Sequence, residues 1–169
     1  MNILSNVFGS SRKALPPDKI YIEYPLGIRY TLLLNFEDKT GKADFIKDVL
    51  PYHREASRLE NIIVNRNQKG IEVEKSGQIE EAIKLYEQNV ADYADTPHPY
   101  NRLRVIYSKC KQYDEAIRIC KAYIEMSNKL AEAVKKETGD LKLAKELGES
   151  SEFAGWVIKL EQKKGSAIK

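Results

Sequence analysis

The stretch that decides the fold is GQIEEAIKLY, Gly77 to Tyr86, because the chain says nearly the same thing again at KQYDEAIRIC, Lys111 to Cys120. Laid over each other at an offset of 34 with no gap, Val73–Val90 and Tyr107–Ile124 share the identities Lys75/Lys109, Gln78/Gln112, Glu81/Glu115, Ala82/Ala116 and Ile83/Ile117. Ordinary composition yields about one identity in a window of this length. Four further pairs are conservative: Glu80/Asp114, Lys84/Arg118, Leu85/Ile119 and Val90/Ile124. Two unrelated amphipathic helices share a taste for Glu, Ala and Ile but not a fixed period, so the echo predicts a repeated structural unit.

Each copy reads as two helices joined by a short turn. Before the first turn, Ala56, Leu59, Ile62, Ile63, Gly70 and Val73 keep helical spacing, and Gly77 suits the left-handed conformation that ends a helix. After it, Ile79, Ala82, Ile83, Tyr86 and Val90 make the apolar face of the next helix. The prolines of DYADTPHP break the pattern, and a helix starting near Pro99 or Tyr100 carries Leu103, Ile106 and Tyr107. Asp114 is a candidate N-cap for the helix that follows, in which Ile117, Cys120, Ile124, Ser127, Ala131 and Val134 predict a run to Thr138. Helices joined by so short a turn pack antiparallel. The last amphipathic segment, with Phe153, Trp156, Val157 and Leu160 on one side, is a candidate cap for the array, whose last unit cannot leave its apolar side open.

Working outward toward the N-terminus, residues 1–18 carry Gly, Ser and Pro16-Pro17 and read as a flexible arm. KIYIEYP alternates Ile20, Ile22 and Tyr24 against Tyr21 and Glu23, the period of a half-buried strand. Gly27–Phe36 fits either a second strand or a short helix with Tyr30, Leu33 and Leu34 on one face. From Lys42 the pattern is helical, with Phe45, Ile46, Val49 and Leu50 in one stripe, and Pro51 either ends that helix or opens the next. The expected fold class is all-α, with antiparallel helix–turn–helix repeats stacked as an α-α superhelix. The division is a flexible arm at 1–18, an N-terminal extension of short strands or helices and then a helix at 19–61, two hairpins at 62–128, and a degenerate repeat or long-helix tail plus capping helix at 129–169. A third copy is only hinted at, because Gly139-Asp140-Leu141-x-x-Ala144 places its small residue 28 positions after Ala116 instead of 34.

These residues resemble the tetratricopeptide repeat, whose pattern is a large aromatic, Leu, Gly and Tyr on the first helix and Ala, an aromatic and Pro on the second. The second copy offers Tyr100, Leu103, Arg104 and Tyr107, then Ala116 and Cys120, with Asn128 where Pro is usual. The first copy offers Arg66, Lys69, Gly70, Val73, Ala82, Tyr86 and Ala94 at the same positions. Arg104 departs from the family by replacing a small residue, which implies looser packing there or a side chain rotated toward solvent. The resemblance implies that first helices line a concave face that accepts a partner's extended peptide or helix. By position that face presents Val64, Asn67, Ile71, Glu74 and Lys75 from the first copy, then His98, Asn101, Arg102, Val105, Ser108 and Lys109 from the second. The same groups also suit a merely solvated surface, or one covered by the first 60 residues. Repeats of this family that clamp a terminal carboxylate place Lys and Asn where this chain has Asn67 and Ile71, and the second-copy position holds Arg102, so the clamp pattern is absent and a chaperone-tail receptor is not implied.

Composition narrows the classes of chemistry. Charged residues make up 31% of the chain at a formal net charge of +3, with no strongly basic segment to announce nucleic acid. Tyr100 and Tyr107 fall on core positions of the repeat, where they are unavailable for stacking on bases. Cys110 and Cys120 have neither zinc-site nor redox-motif spacing, and no leader or membrane-length apolar run is read, so reduced thiols and the cytoplasm are expected. No nucleotide loop, nucleophile elbow or metal-ligand cluster appears, and His53 and His98 each adjoin a proline, far apart in sequence. Glu80-Glu81 and Asp114-Glu115 suit helix N-termini. The expectation is a noncatalytic adaptor or scaffold without cofactor or metal, binding a protein or peptide. A regulator touching nucleic acid and a self-associating structural protein are its rivals, and monomer and homodimer both remain open.

Overall fold

The computed structural model describes residues 23–35, 44, 47 and 49–167. The expected arm at 1–18, the strand reading at Ile20 and Ile22, and the Phe45/Ile46 stripe lie outside the described residues. Among the described residues there is no strand, and the fold is all-α. The helices are α1 (Leu26–Leu34), α2 (Leu50–Lys75), α3 (Ile79–Ala91), α4 (His98–Lys109), α5 (Tyr113–Thr138), α6 (Leu141–Leu147) and α7 (Ser151–Ala167). Both α2 and α4 open with a proline in the first turn, where the missing N–H has no partner to lose.

The turns that fold α2 onto α3 and α4 onto α5 are copies of each other 34 residues apart. In the first, Gly77 N–H donates to Glu74 O and Gln78 N–H to Val73 O, and in the second Lys111 N–H donates to Ser108 O and Gln112 N–H to Tyr107 O. This is the Schellman arrangement, which satisfies the last carbonyls of the first helix and needs a left-handed residue after the cap. Gly77 supplies it at φ 83° and Lys111 at φ 59°. The two residues that follow, Gln78 and Gln112, have the same backbone (φ −83°, ψ 66° and φ −82°, ψ 65°) and are the N-caps of α3 and α5. Asp114 is therefore not the N-cap that its residue type suggests. The turn places Gln112 there, and Asp114 sits in the first turn beside Glu115, where its charge suits the helix dipole.

Ala82 and Ala116 are fully buried where each second helix crosses its first. One turn on, the two hairpins solve the same packing problem with opposite sizes. In the first hairpin Gly70 faces the fully buried Tyr86, whose ring lies so close that a Cβ on Gly70 would stand 2.5 Å from Tyr86 Cε1. In the second hairpin the large residue is Arg104 and the small one is the fully buried Cys120. Arg104 is half-buried, its guanidinium stacked 3.9 Å over the Trp156 ring of α7, so it is neither loosely packed nor turned out to solvent.

Helix lengths explain the rest of the architecture. The helices α2 and α5 each have 26 residues, whereas α3 has 13 and α4 has 12. Because the chain alternates direction, the start of α2 and the end of α5 overhang at the same end of the array, and α1 packs against both of them. Ile28, Leu32 and Leu33 of α1 share one apolar cluster with Tyr52, Ala56 and Leu59 of α2 and Leu130, Ala133 and Val134 of α5. Of the two readings left open for Gly27–Phe36 the helix is the one found, but Leu34, which that reading puts on one face with Tyr30 and Leu33, is 45% exposed, because the buried stripe runs through Ile28 and Leu32 instead. Gly27 seats α1 on the α3–α4 turn: its N–H donates to Asp92 O at 2.8 Å, and a Cβ there would lie 2.0 Å from Tyr93 O. Thr31 Oγ1 lies 2.8 Å from Asp95 Oδ2, and Tyr24 OH donates to Glu137 at 2.6 Å. At the other side of the array α7 lies on α5, with Phe153 stacked on Tyr123 (3.9 Å, 22°) and edge-on to Tyr100 of α4. Phe153 and Leu160 are buried, and Trp156 and Val157 are partly so, which closes the apolar side of the second hairpin.

Two substitutions test this account. Lys111→Gly removes the cost of a left-handed lysine and should stabilise the chain by about 0.5–1 kcal/mol, a rise of about 2–4 °C in Tm, in scanning calorimetry. A lowered Tm would mean that the second turn does not hold its left-handed residue in solution. Gly70→Ala should cost about 1–3 kcal/mol by overpacking against Tyr86, and much less in a Tyr86→Ala background, so that the double-mutant cycle shows strong coupling. Additive effects would rule out the close crossing.

Candidate functional site

The residues that the repeat pattern assigns to a partner-facing surface fall at helical spacing along α2 and α4. Val64, Asn67, Ile71, Glu74 and Lys75 follow one stripe of α2, and His98, Asn101, Arg102, Val105, Ser108 and Lys109 follow the matching stripe of α4. They do not behave alike, and their surroundings divide them into three groups.

The first group is tied into the scaffold. Asn67 Oδ1 accepts from Asn89 Nδ2 at 2.9 Å, and that same amide reaches Ile63 O at 3.0 Å. Asn89 is fully buried, so Asn67 completes the hydrogen bonding of an interior amide and is a support residue of the α2–α3 hairpin. Arg66 flanks this arrangement, ion-paired with Asp92. Asn101 accepts from Arg104 of its own helix at 3.3 Å, which helps to hold that guanidinium over Trp156.

The second group is a polar junction between the hairpins. Arg102 of α4 donates through Nε to Glu74 Oε2 at 3.1 Å and through Nη2 to Glu74 Oε1, a two-pronged bond that fixes the plane of the guanidinium. Tyr86 OH donates to the same carboxylate at 3.1 Å. Arg102 holds the Glu74 carboxyl below its ordinary range, helped by the Tyr86 hydroxyl and by the nearby charge of Lys109. Burial first, and then the Glu74 charge, push the Tyr86 phenol up to about 12. His98 meets the Tyr86 ring edge-on with centroids 5.8 Å apart. Burial, then the Arg102 charge, lower its pKa, which keeps the imidazole neutral at pH 7. No hydrogen-bond partner for the buried Nε2 of His98 or the buried Oγ of Ser108 is found among the described residues.

The third group is open. Val64 is 36% exposed, and Ile71 and Val105 are half-buried. Lys75 and Lys109 are exposed, one helical turn beyond Ile71 and Val105. Neither lysine has a hydrogen-bond or ion-pair partner among the described residues. The α2–α4 surface thus repeats an aliphatic-then-lysine ridge at the 34-residue period, with the neutralised Glu74–Arg102 pair between the two ridges. Among the described residues α1 packs against α2, α5 and the α3–α4 turn. At about 1.5 Å per residue, Lys75 lies about 20 Å along α2 from Ile62, the start of the hairpin proper.

Sequence spacing did not reveal the junction itself. Tyr86 is a core position by its period, and nothing in the pattern says that its hydroxyl reaches Glu74 or that Arg102 arrives from the next hairpin. The signal that was available is the breakdown of the repeat there: Glu74 is matched by Ser108, and Tyr86 by Cys120, so neither half of the hydrogen bond recurs. Among the described residues, no three His, Cys, Asp or Glu side chains are grouped to hold a metal ion, and no helix is long and apolar enough to cross a membrane.

Glu74→Gln should destabilise the chain by about 1 kcal/mol at neutral pH, since part of the pair is solvated. Because the folded-state pKa is depressed, the stabilisation is complete above the ordinary value of 4.5 and is lost as pH falls through the folded value. Urea midpoints of wild type and variant are therefore expected to converge in acid, and a gap that persists at pH 2 would assign the effect to packing. No protein-family model, curated protein or solved structure matches the chain, so the reading of this surface rests on its own geometry.

Proposed function

We propose that the chain is a noncatalytic protein-interaction module, an adaptor or scaffold, whose two hairpins are tetratricopeptide-like repeats that take a partner's peptide or helix on the α2–α4 face. The observation that carries the reading is the duplicated ridge Ile71–Lys75 and Val105–Lys109: a half-buried aliphatic side chain followed one turn later by an exposed lysine, at the repeat period. The matched turns at Gly77 and Lys111 support the repeat assignment, since they fix α3 and α5 in the same relation to α2 and α4. A binding role suits a surface that offers apolar grip, flanking charge and a rigid floor, and the Glu74–Arg102–Tyr86 junction is such a floor. The cytoplasm is the compartment that suits the free thiols of Cys110 and Cys120.

The test is a comparative pull-down with the full chain and its Ile71→Gln/Val105→Gln variant, after nuclease treatment, with retained proteins identified by mass spectrometry. Asn67 is left intact because its loss would strip the buried Asn89 of a partner. The variant should keep the wild-type Tm within about 1 kcal/mol of stability and lose the retained proteins. If every protein retained by wild type is also retained by the variant, the face is not the binding surface.

A further inference from the structure

Resting on the proposed role of the α2–α4 face, we infer that the segment it accepts is acidic, recognised through the carboxylates of its Asp and Glu side chains. The inference starts from the charges that a partner meets. On this face the acid is Glu74, and it is already spent: its side chain is 15% exposed, both its oxygens accept from Arg102, and Tyr86 donates to it as well. The exposed ammonium groups of Lys75 and Lys109 have no such partner among the described residues. Elsewhere Arg58, Lys69, Lys84 and Lys129 are matched to Glu55, Glu72, Glu81 and Glu125, whereas Arg54, Lys111, Lys135 and Lys145 are exposed without an ion pair among the described residues, as Lys75 and Lys109 are. What sets this face apart is that its acid is already engaged by Arg102, so that Lys75 and Lys109 leave it with an excess of positive charge at two points that recur with the repeat.

The Arg102 guanidinium adds to this. Glu74 accepts from Nε and Nη2 of this guanidinium, whose five N–H donors exceed what one carboxylate takes, on a side chain 36% exposed and held in a fixed plane. A carboxylate arriving between Arg102 and Lys109 meets two cations around one buried anion, an arrangement that raises encounter rate and rejects basic segments. Ile71 and Val105, one turn away, take the apolar side chains of the same segment. Single-stranded nucleic acid shares the negative charge but needs aromatic surfaces for its bases, and Tyr86, Tyr100 and Tyr107 are all buried.

The experiment selects random dodecapeptides, displayed with their C-termini fused so that no terminal carboxylate is free, on the full-length chain and on its Lys75→Glu/Lys109→Glu variant. A Lys135→Glu/Lys145→Glu variant, equal in charge change but away from the face, serves as the control. Asp and Glu should be enriched on wild type and control, and Lys and Arg on the reversed face. A selected acidic peptide should bind the reversed variant about tenfold or more weakly, and should lose affinity when its Glu residues become Gln. Selected peptides without acidic enrichment, but lost with Ile71→Gln/Val105→Gln, would overturn this inference and leave the binding face standing. Peptides indifferent to both variants, or none at all, would overturn the two together. Oligothymidylate that displaces the peptide and binds more tightly than it does would also overturn the choice of partner.

Discussion

With no side chain at Gly70, α2 and α3 approach closely enough for the Tyr86 ring to be enclosed between them, and everything at the centre of the molecule follows from that enclosure. The ring supplies apolar burial, which is its large term. Its hydroxyl, which must find a partner when buried, reaches Glu74, and Glu74 in turn takes Arg102 from the next hairpin. His98 at the start of α4 lies edge-on against the same ring. One aromatic side chain thus joins α2, α3 and α4, and couples the stacking of the hairpins to the polar floor of the face they share.

The second hairpin does not repeat this device, although it repeats the turn and the crossing alanine. Arg104 and Cys120 stand where Gly70 and Tyr86 stand, so the volume has moved from α5 to α4, and the long side chain extends to Trp156 of α7. The exchange suits the neighbours. The first hairpin is followed by another hairpin and presents a carboxylate to it, whereas the second is followed by a closing helix and presents a cation to an aromatic ring. At the opposite end α1 fills the space between two overhanging helices, and its Gly27 and Thr31 bond to the turn that both hairpins share. The two ends of the array are closed by different means.

The candidate surface was only partly legible in the sequence. Helical stripes and the 34-residue offset put Val64, Ile71, Lys75, Val105 and Lys109 on one side of α2 and α4, because side-chain direction along a helix is set by its period alone. They could not tell support from contact. Asn67 and Lys75 look equally available in a pattern, yet one completes the bonding of a buried amide while the other has no partner among the described residues. Glu74 reads as a free acid on the face and is in fact neutralised by a residue 28 positions away. Such pairings join different helices, and no local spacing encodes them.

From the start of α2 onward the sequence by itself determined the helical class, the course of the apolar stripes and the position of the first turn, since periodicity, proline placement and a glycine at 77 are local constraints that act before any packing, whereas it left Gly27–Phe36 open between strand and helix. It also carried the duplication, which required only that one segment be compared with another. Tertiary structure decided what depends on distance between helices: that Lys111 takes the left-handed conformation of Gly77, that Gln112 and not Asp114 caps α5, that Leu34 points away from the core, and that α1 wedges between α2 and α5. In each case the free energy of packing or of satisfying buried polar groups exceeds the intrinsic preference of the residue concerned, a difference of about 1 kcal/mol that a propensity cannot foresee.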